Sequence, residues 1–410
     1  MSITTRNVRE LIDWPLAIAT LALIAIGIVG ISSATGEQAA SRVQGLATIQ
    51  AVWATLAVSV AIATLFLPVR FWHAMAYVIY GVAIAALVAT LFAGSLGMGA
   101  ERWLQIGPMR VQPSEFGKLA LILALSRFLS GPRIRINRFW DLSRALALVI
   151  VPVALIRQQP DLGTALVYLA VALPMVFFAG LRNLYLFLIL SPIVNAICAF
   201  AGWIPWLAFC LVFVGLLFLT KPSTMWTVVL ITVNLGIGIV APIFWDELSP
   251  YQQRRIETFF NPENDPLGAG YQIIQSKVAI GSGGMWGKGF QQGTQTQLAF
   301  IPETHTDFIF AVLAEEFGFV GAIVVIGLLL FAIWRIIGLA NTLNNRFASF
   351  ICIGVGTLIA FHALVNIGMT VGLMPVTGLP LPFVSYGGSA MLTDGYAIGL
   401  VLSLGLRRFE

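Results

Sequence analysis

Residues 14–33 read WPLAIATLALIAIGIVGISS, twenty consecutive positions without an ionisable side chain. As an α-helix such a run extends about 30 Å, the depth of the hydrocarbon core of a bilayer. Working outward, comparably apolar runs recur at 47–67, 73–94, 116–132, 141–158, 162–180, 184–204, 205–220, 224–245, 307–338, 348–372 and 388–406. The spacing predicts an all-α polytopic membrane protein of about twelve transmembrane helices, a single integral membrane domain over 1–410. At Gln158-Gln159-Pro160-Asp161 a helix boundary and a broken helix would read alike.

Composition points the same way. Of 410 residues 59% are apolar and 10% charged, against about 25% charged in a soluble domain, and the mean hydropathy is +0.91. A transmembrane β-barrel is excluded because its strands alternate apolar and polar residues. Cys198, Cys210 and Cys352 lie inside apolar runs without pairing or metal-ligand spacing, which suits small core residues. A polar leader with Arg6, Glu10 and Asp13 precedes a first run too long for an ordinary signal peptide, so no cleaved signal is expected.

The net charge is +5, and the placement of the cations matters more than their sum. With the N-terminus in the cytoplasm, fourteen of the 23 cations fall inside and eight outside, with Lys118 inside a membrane segment. The positive-inside rule then predicts that both termini are cytoplasmic, the cluster from Arg127 to Arg144 weighing most. Acidic residues concentrate on the other side, where 246–306 forms the largest loop. Its Gly-rich stretch, Ile280 to Gly289, is too apolar for a linker and is expected to lie on or dip into the outer membrane face.

Four constellations could carry chemistry. Arg102 and Arg110 precede Pro113-Ser114-Glu115-Phe116-Gly117-Lys118, a helix start that sets Glu115 and Lys118 three apart on one face. An ionisable pair within the membrane is costly unless mutually satisfied, so it marks function or a helix-packing ion pair. Asp161 in Gln159-Pro160-Asp161 is either a helix cap or a carboxylate that orients a cation or a sugar hydroxyl. The segment Asn261-Pro262-Glu263-Asn264-Asp265-Pro266 gives a rigid turn that suits a positioned base or is plain loop punctuation, and it leads on to Lys277 and Lys288. The last set is Pro302-Glu303-Thr304-His305-Thr306-Asp307, Glu315-Glu316 and Ser385-Tyr386-Gly387-Gly388-Ser389. No nucleotide-binding loop, zinc pattern, nucleophile elbow or nucleic-acid motif occurs.

Over essentially the whole chain these strings resemble the SEDS family of membrane enzymes in peptidoglycan synthesis. The resemblance rests on Asp265-Pro266-Leu267-Gly268, Gln275-Ser276-Lys277, Gly281-Ser282-Gly283-Gly284, residues Pro302 to Phe308 and residues Ser385 to Ser389. Lys288-Gly289-Phe290 and Gly293 to Leu298 are closer to the elongation-type RodA members than to the division-type FtsW members. The resemblance implies a glycosyltransferase that polymerises lipid II during cell elongation on the outer face of the cytoplasmic (inner) membrane. It implies Asp265 as the catalytic carboxylate and functional roles for Glu115 and Lys118.

It further implies a class B penicillin-binding protein as transpeptidase partner, with other elongation-complex proteins and membrane lipids but no nucleic acid. Arg102, Arg110, Glu115, Lys118, Asp161, Lys277, Lys288, His305 and Ser385 are the candidate substrate-binding residues, and a divalent cation (Mg or Mn) is the candidate cofactor. The family core has ten helices, so 184–223 is expected to hold an inserted helical hairpin. The rival reading is a lipid II flippase or transporter.

Overall fold

The computed structural model describes residues 12–35, 45–93, 95–97, 100–106, 109–159, 161–220, 223–247, 253, 269–297 and 304–408. Its long helices follow the apolar runs: α1 (Trp14–Ala34), α2 (Leu46–Leu65), α3 (Val69–Ala93), α4 (Pro113–Leu129), α5 (Phe139–Gln158), α6 (Leu162–Phe178), α7 (Asn183–Ala201), α8 (Trp203–Thr220) and α9 (Thr224–Glu247). Beyond the loop region's α10 (Ala269–Ser282) and α11 (Thr294–Gln297) come α12 (Ile309–Thr342), α13 (Arg346–Thr370) and α14 (Gly388–Leu406). Seven of these are long and apolar enough to cross a membrane on their own, and shorter apolar helices accompany them. Their outward faces carry large exposed apolar side chains such as Phe66, Phe92, Leu211, Phe218 and Trp334. Exposed apolar flanks around a buried core are what lipid solvent requires. This is an all-α polytopic membrane protein.

Packing explains the pairing. In lipid, helices associate through close contact of small residues and through hydrogen bonds, because leaving hydrocarbon gains nothing. On α14, Gly388, Gly395 and Gly399 lie so close to α2 that a Cβ would meet Trp53, the Ala57 carbonyl and Ala61 within 2.6 Å. Helix α1 is fastened to α12 at both ends: Arg335 Nη2 donates to Asp13 Oδ2 at 2.7 Å, and the Ser33 hydroxyl donates to Glu316. Asp13 also caps α1, accepting from Leu16 N.

Two features depart from the sequence reading. Residues 95–111 form a small antiparallel sheet, β1 (Ser95–Gly97), β2 (Ala100–Ile106) and β3 (Met109–Val111), in the order β1-β2-β3. Helix α12 is broken at Gly318, where φ is +67°. Helix α5 ends at Gln158 and α6 begins at Leu162, and the 184–223 stretch holds α7 and α8. Of the 246–306 loop, residues 246–247, 253, 269–297 and 304–306 are described. Asp265 and Glu263 lie outside the described residues.

Candidate functional site

At the end of the bundle where α1 finishes, ionisable side chains are gathered in two buried knots. The first begins at Pro113, which opens α4 and places Glu115 in its first turn, where a negative charge complements the helix dipole. One turn on, Lys118 donates from Nζ to Glu115 Oε1 at 2.6 Å and lies 3.2 Å from His362 Nε2 on α13. Lys118 is 2% and Glu115 6% exposed. His362 Nδ1 is 3.2 Å from the Pro380 carbonyl. A proton on Nδ1 therefore donates to Pro380 and leaves Nε2 as acceptor for the ammonium. A small cavity opens beside the pair, lined by Glu115, Lys118, His362, Pro382, Thr393 and Asp394. Asp394 accepts from Phe383 N at 2.9 Å. Phe383 has φ of +65°, unfavourable for a bulky side chain, so that bond helps hold a strained turn.

The second knot is centred on Glu315, which is fully buried. Its Oε1 accepts from Lys288 Nζ at 2.8 Å and Gln295 N at 3.0 Å; its Oε2 accepts from Thr296 N at 3.2 Å and Thr296 Oγ1 at 2.7 Å. The break at Gly318 makes this possible. Phe319 N and Val320 N, released from the helix ladder, donate to the Gly284 and Met285 carbonyls, while the carbonyls of Glu315 and Glu316 accept from Lys288 N and Gly289 N. Four backbone groups are thus re-satisfied by the Gly-rich turn, as irregular backbone in a membrane protein demands. Gly287 is required by space: its Cβ would sit 2.0 Å from the Glu316 carbonyl oxygen, at φ +81°.

A segment, 377–387, buried at 381–385, lies between the helices. Ser385 Oγ donates to the Thr306 carbonyl at 2.7 Å and accepts from Leu381 N at 2.8 Å. Asn366 Nδ2 donates to the carbonyls of Asp307 and Leu379, and Gln50 bonds both Ser385 O and Gly387 N. Tyr386 N donates to His305 O, and the two rings meet edge-on at 5.6 Å.

The candidates from sequence fall as follows. Glu115 and Lys118 meet as the spacing predicts. Asp161 caps α6, accepting from Thr164 N at 3.1 Å and Thr164 Oγ1 at 2.9 Å. Ser385 spends its hydroxyl on backbone groups, and Lys288 is joined to Glu315. Lys277 is exposed on α10, its stem lying against Gly372. Arg110 is exposed on β3, opposite Gln105. Arg102 belongs to β2, and its side chain lies outside what the structure describes.

Sequence reasoning missed His362 and Asp394. The available signal was an ionisable side chain inside an otherwise apolar run. Among the described residues no three His, Cys, Asp or Glu side chains converge to hold a metal ion.

The chain matches the FtsW/RodA/SpoVE family model, described as cell cycle protein, over residues 14–208 and 205–408. The chain belongs to that family. It is 36% identical over 347 residues to peptidoglycan glycosyltransferase MrdB of Escherichia coli (strain K12), covering 83% of this chain and 80% of that relative. It is 34% identical over 426 residues to peptidoglycan glycosyltransferase RodA of Treponema pallidum (strain Nichols), covering 97% and 98%. Among solved structures it is similar to a chain of a peptidoglycan synthase complex that coordinates polymerization and crosslinking, with a TM-score of 0.71, 32% identity, and 97% and 99% of the two chains covered. It also resembles Thermus thermophilus RodA, with a TM-score of 0.64, 28% identity, and 97% and 98% covered.

Proposed function

We propose that this RodA-type peptidoglycan glycosyltransferase polymerises lipid II on the outer face of the cytoplasmic membrane, with Asp265 as the base. The observation that carries the reading of the site is the buried Glu115–Lys118 pair beside a small cavity, in a chain whose relatives bear glycosyltransferase names.

Lipid II carries its pyrophosphate in the α configuration and the polymer is β-1,4 linked, so a single displacement with inversion suffices. One carboxylate then deprotonates the acceptor hydroxyl, by analogy with the acceptor-activating base of inverting glycosidases. The leaving pyrophosphate needs positive charge rather than a proton. Lys118, Lys277, Arg102 and Arg110 are the cations proposed for it. Lys288 is proposed chiefly as the anchor of the Gly-rich turn. A bound divalent cation (Mg or Mn) is proposed as a further source of that positive charge; among the described residues no three His, Cys, Asp or Glu side chains converge on one.

Both termini are proposed to be cytoplasmic, a reading the cation asymmetry supports, and a class B penicillin-binding protein is proposed as partner, in line with the synthase complex that this chain resembles. Lipid II added to the purified protein in detergent tests the activity by the appearance of glycan oligomers. Asp265→Asn should lower polymerisation about 10²–10⁴-fold without unfolding the protein. Glu263→Gln should be far milder. Near-normal polymerisation by Asp265→Asn would move the base elsewhere. Transport of lipid II without oligomers would favour the flippase reading.

A further inference from the structure

At the opposite end of the bundle, cytoplasmic on the cation asymmetry, the structure joins two arginine-bearing connectors. The α4–α5 connector carries Arg133, Arg135 and Arg138, the α6–α7 connector carries Arg182, and all four are exposed. None of their guanidinium groups has a carboxylate within ion-pair distance among the described residues. The one nearby acid, Asp141, is spent on Arg135 N at 3.0 Å and on Arg144 at 3.8 Å.

The backbone beneath these arginines is pinned. Asn137 Nδ2 donates to Gly180 O at 2.9 Å and Asn137 Oδ1 accepts from Arg182 N at 3.1 Å, which clamps the two connectors together. Ile136 and Leu181 are buried beside the clamp at 4% and 3% exposure. Next to the cations, Trp140 is 64% and Phe178 53% exposed. Phe139 packs against Trp226, whose buried indole N–H has no acceptor among the described residues.

Like charges crowded on a rigid frame repel unless an anion sits among them. Flanking aromatics at a helix end mark the depth of lipid headgroups. Guanidinium groups match phosphate oxygens in bidentate geometry.

We propose that the clamped connectors form a binding site for an anionic phospholipid, seating its phosphates on Arg133, Arg138 and Arg182 with its glycerol and upper acyl chains against Trp140 and Phe178. Several cations carried on two clamped connectors favour a headgroup with two phosphates over one with a single phosphate. A purely topological role for the arginines would need no pinned geometry and no such preference.

Native mass spectrometry of the full chain, released from micelles containing equal cardiolipin, phosphatidylglycerol and phosphatidylethanolamine, tests it. Retention should follow that order, with cardiolipin favoured over phosphatidylethanolamine by about tenfold or more. Arg138→Gln and Arg182→Gln should each weaken cardiolipin about 3- to 5-fold, the worth of one cation near an anionic surface, and Arg346→Gln on the same face should not. Single substitutions leave thirteen of the fourteen inner cations, so orientation is kept even where a triple variant inserts wrongly. Millimolar inorganic phosphate should not displace the lipid. Equal retention of the three lipids, or cardiolipin retention unchanged in both single variants, overturns the proposal and leaves an acidic protein as the occupant. Displacement by free phosphate overturns it in favour of a soluble anion.

Discussion

Two Glu–Lys pairs are buried at the same end of this molecule, and they are satisfied very differently. Glu315 has donors on both oxygens, two of them backbone N–H groups, so its oxygens stay hydrogen-bonded wherever Lys288 goes. Glu115 accepts from Lys118, and that ammonium in turn leans on a neutral imidazole, with a cavity beside it. A carboxylate saturated by its own fold has no capacity left for a substrate. The less saturated pair keeps unused hydrogen-bonding capacity facing a space. On the proposed function the first pair is architecture and the second serves chemistry, although sequence alone presents both as acids near the start of a membrane helix.

The sharpest way to break that contrast is Glu315→Gln, expected to have the largest effect. The amide replaces an acceptor with a donor that faces other donors, and the loss of a buried ionic partner costs about 3–5 kcal/mol. The thermal transition in detergent should fall sharply, and activity should fall only in proportion to folded protein. Lys288→Met should be much milder, since Glu315 keeps its other donors. If Glu315→Gln stayed folded yet polymerised nothing, the architectural reading would be wrong.

Next comes Lys118→Met. Polymerisation by folded protein should drop about 10²–10³-fold, the usual loss for one electrostatic stabiliser of a developing charge. The double variant Glu115→Gln/Lys118→Met should regain thermal stability, because no charge is left unpaired, without regaining activity. Recovery of turnover in the double variant would reduce this pair, too, to packing.

How much of this was legible follows from range. The first span, 14–33, corresponds to α1 (Trp14–Ala34), and 388–406 to α14 (Gly388–Leu406), because apolar length is a local property that lipid reads directly. The Glu115–Lys118 pair was visible because a helix brings positions three apart together. His362 was not, since it reaches Lys118 across 244 positions of sequence. The sheet within 95–111 was hidden because its strands are short, three, seven and three residues, and show no sustained alternation of apolar and polar positions. The break at Gly318 looked like one more small residue in a continuous run. Only the approach of the Gly283–Gly289 turn shows why the ladder opens there.

Gly287→Ala tests that approach. An added Cβ meets the Glu316 carbonyl and forces a left-handed backbone on a residue with a side chain, costing roughly 1–3 kcal/mol in strain alone. Gly281→Ala, where a Cβ meets nothing within 4 Å, should be neutral or slightly stabilising in the thermal transition. Equal effects from the two would mean that the turn does not dock on α12.

The smallest effect separates cap from ligand at Asp161. As a cap it satisfies the Thr164 N–H and hydroxyl, so Asp161→Ala should cost about 1 kcal/mol and Asp161→Asn a fraction of that, because asparagine caps nearly as well. If capping is its whole role, Asp161→Asn should polymerise lipid II at close to the wild-type rate with an unchanged apparent substrate affinity. If the charge also orients a sugar hydroxyl or balances a cation near the cavity, the same variant keeps its thermal stability and loses activity. The conservative substitution is therefore the informative one: alanine removes cap and charge together, whereas asparagine removes the charge and one acceptor but keeps an oxygen for the Thr164 N–H.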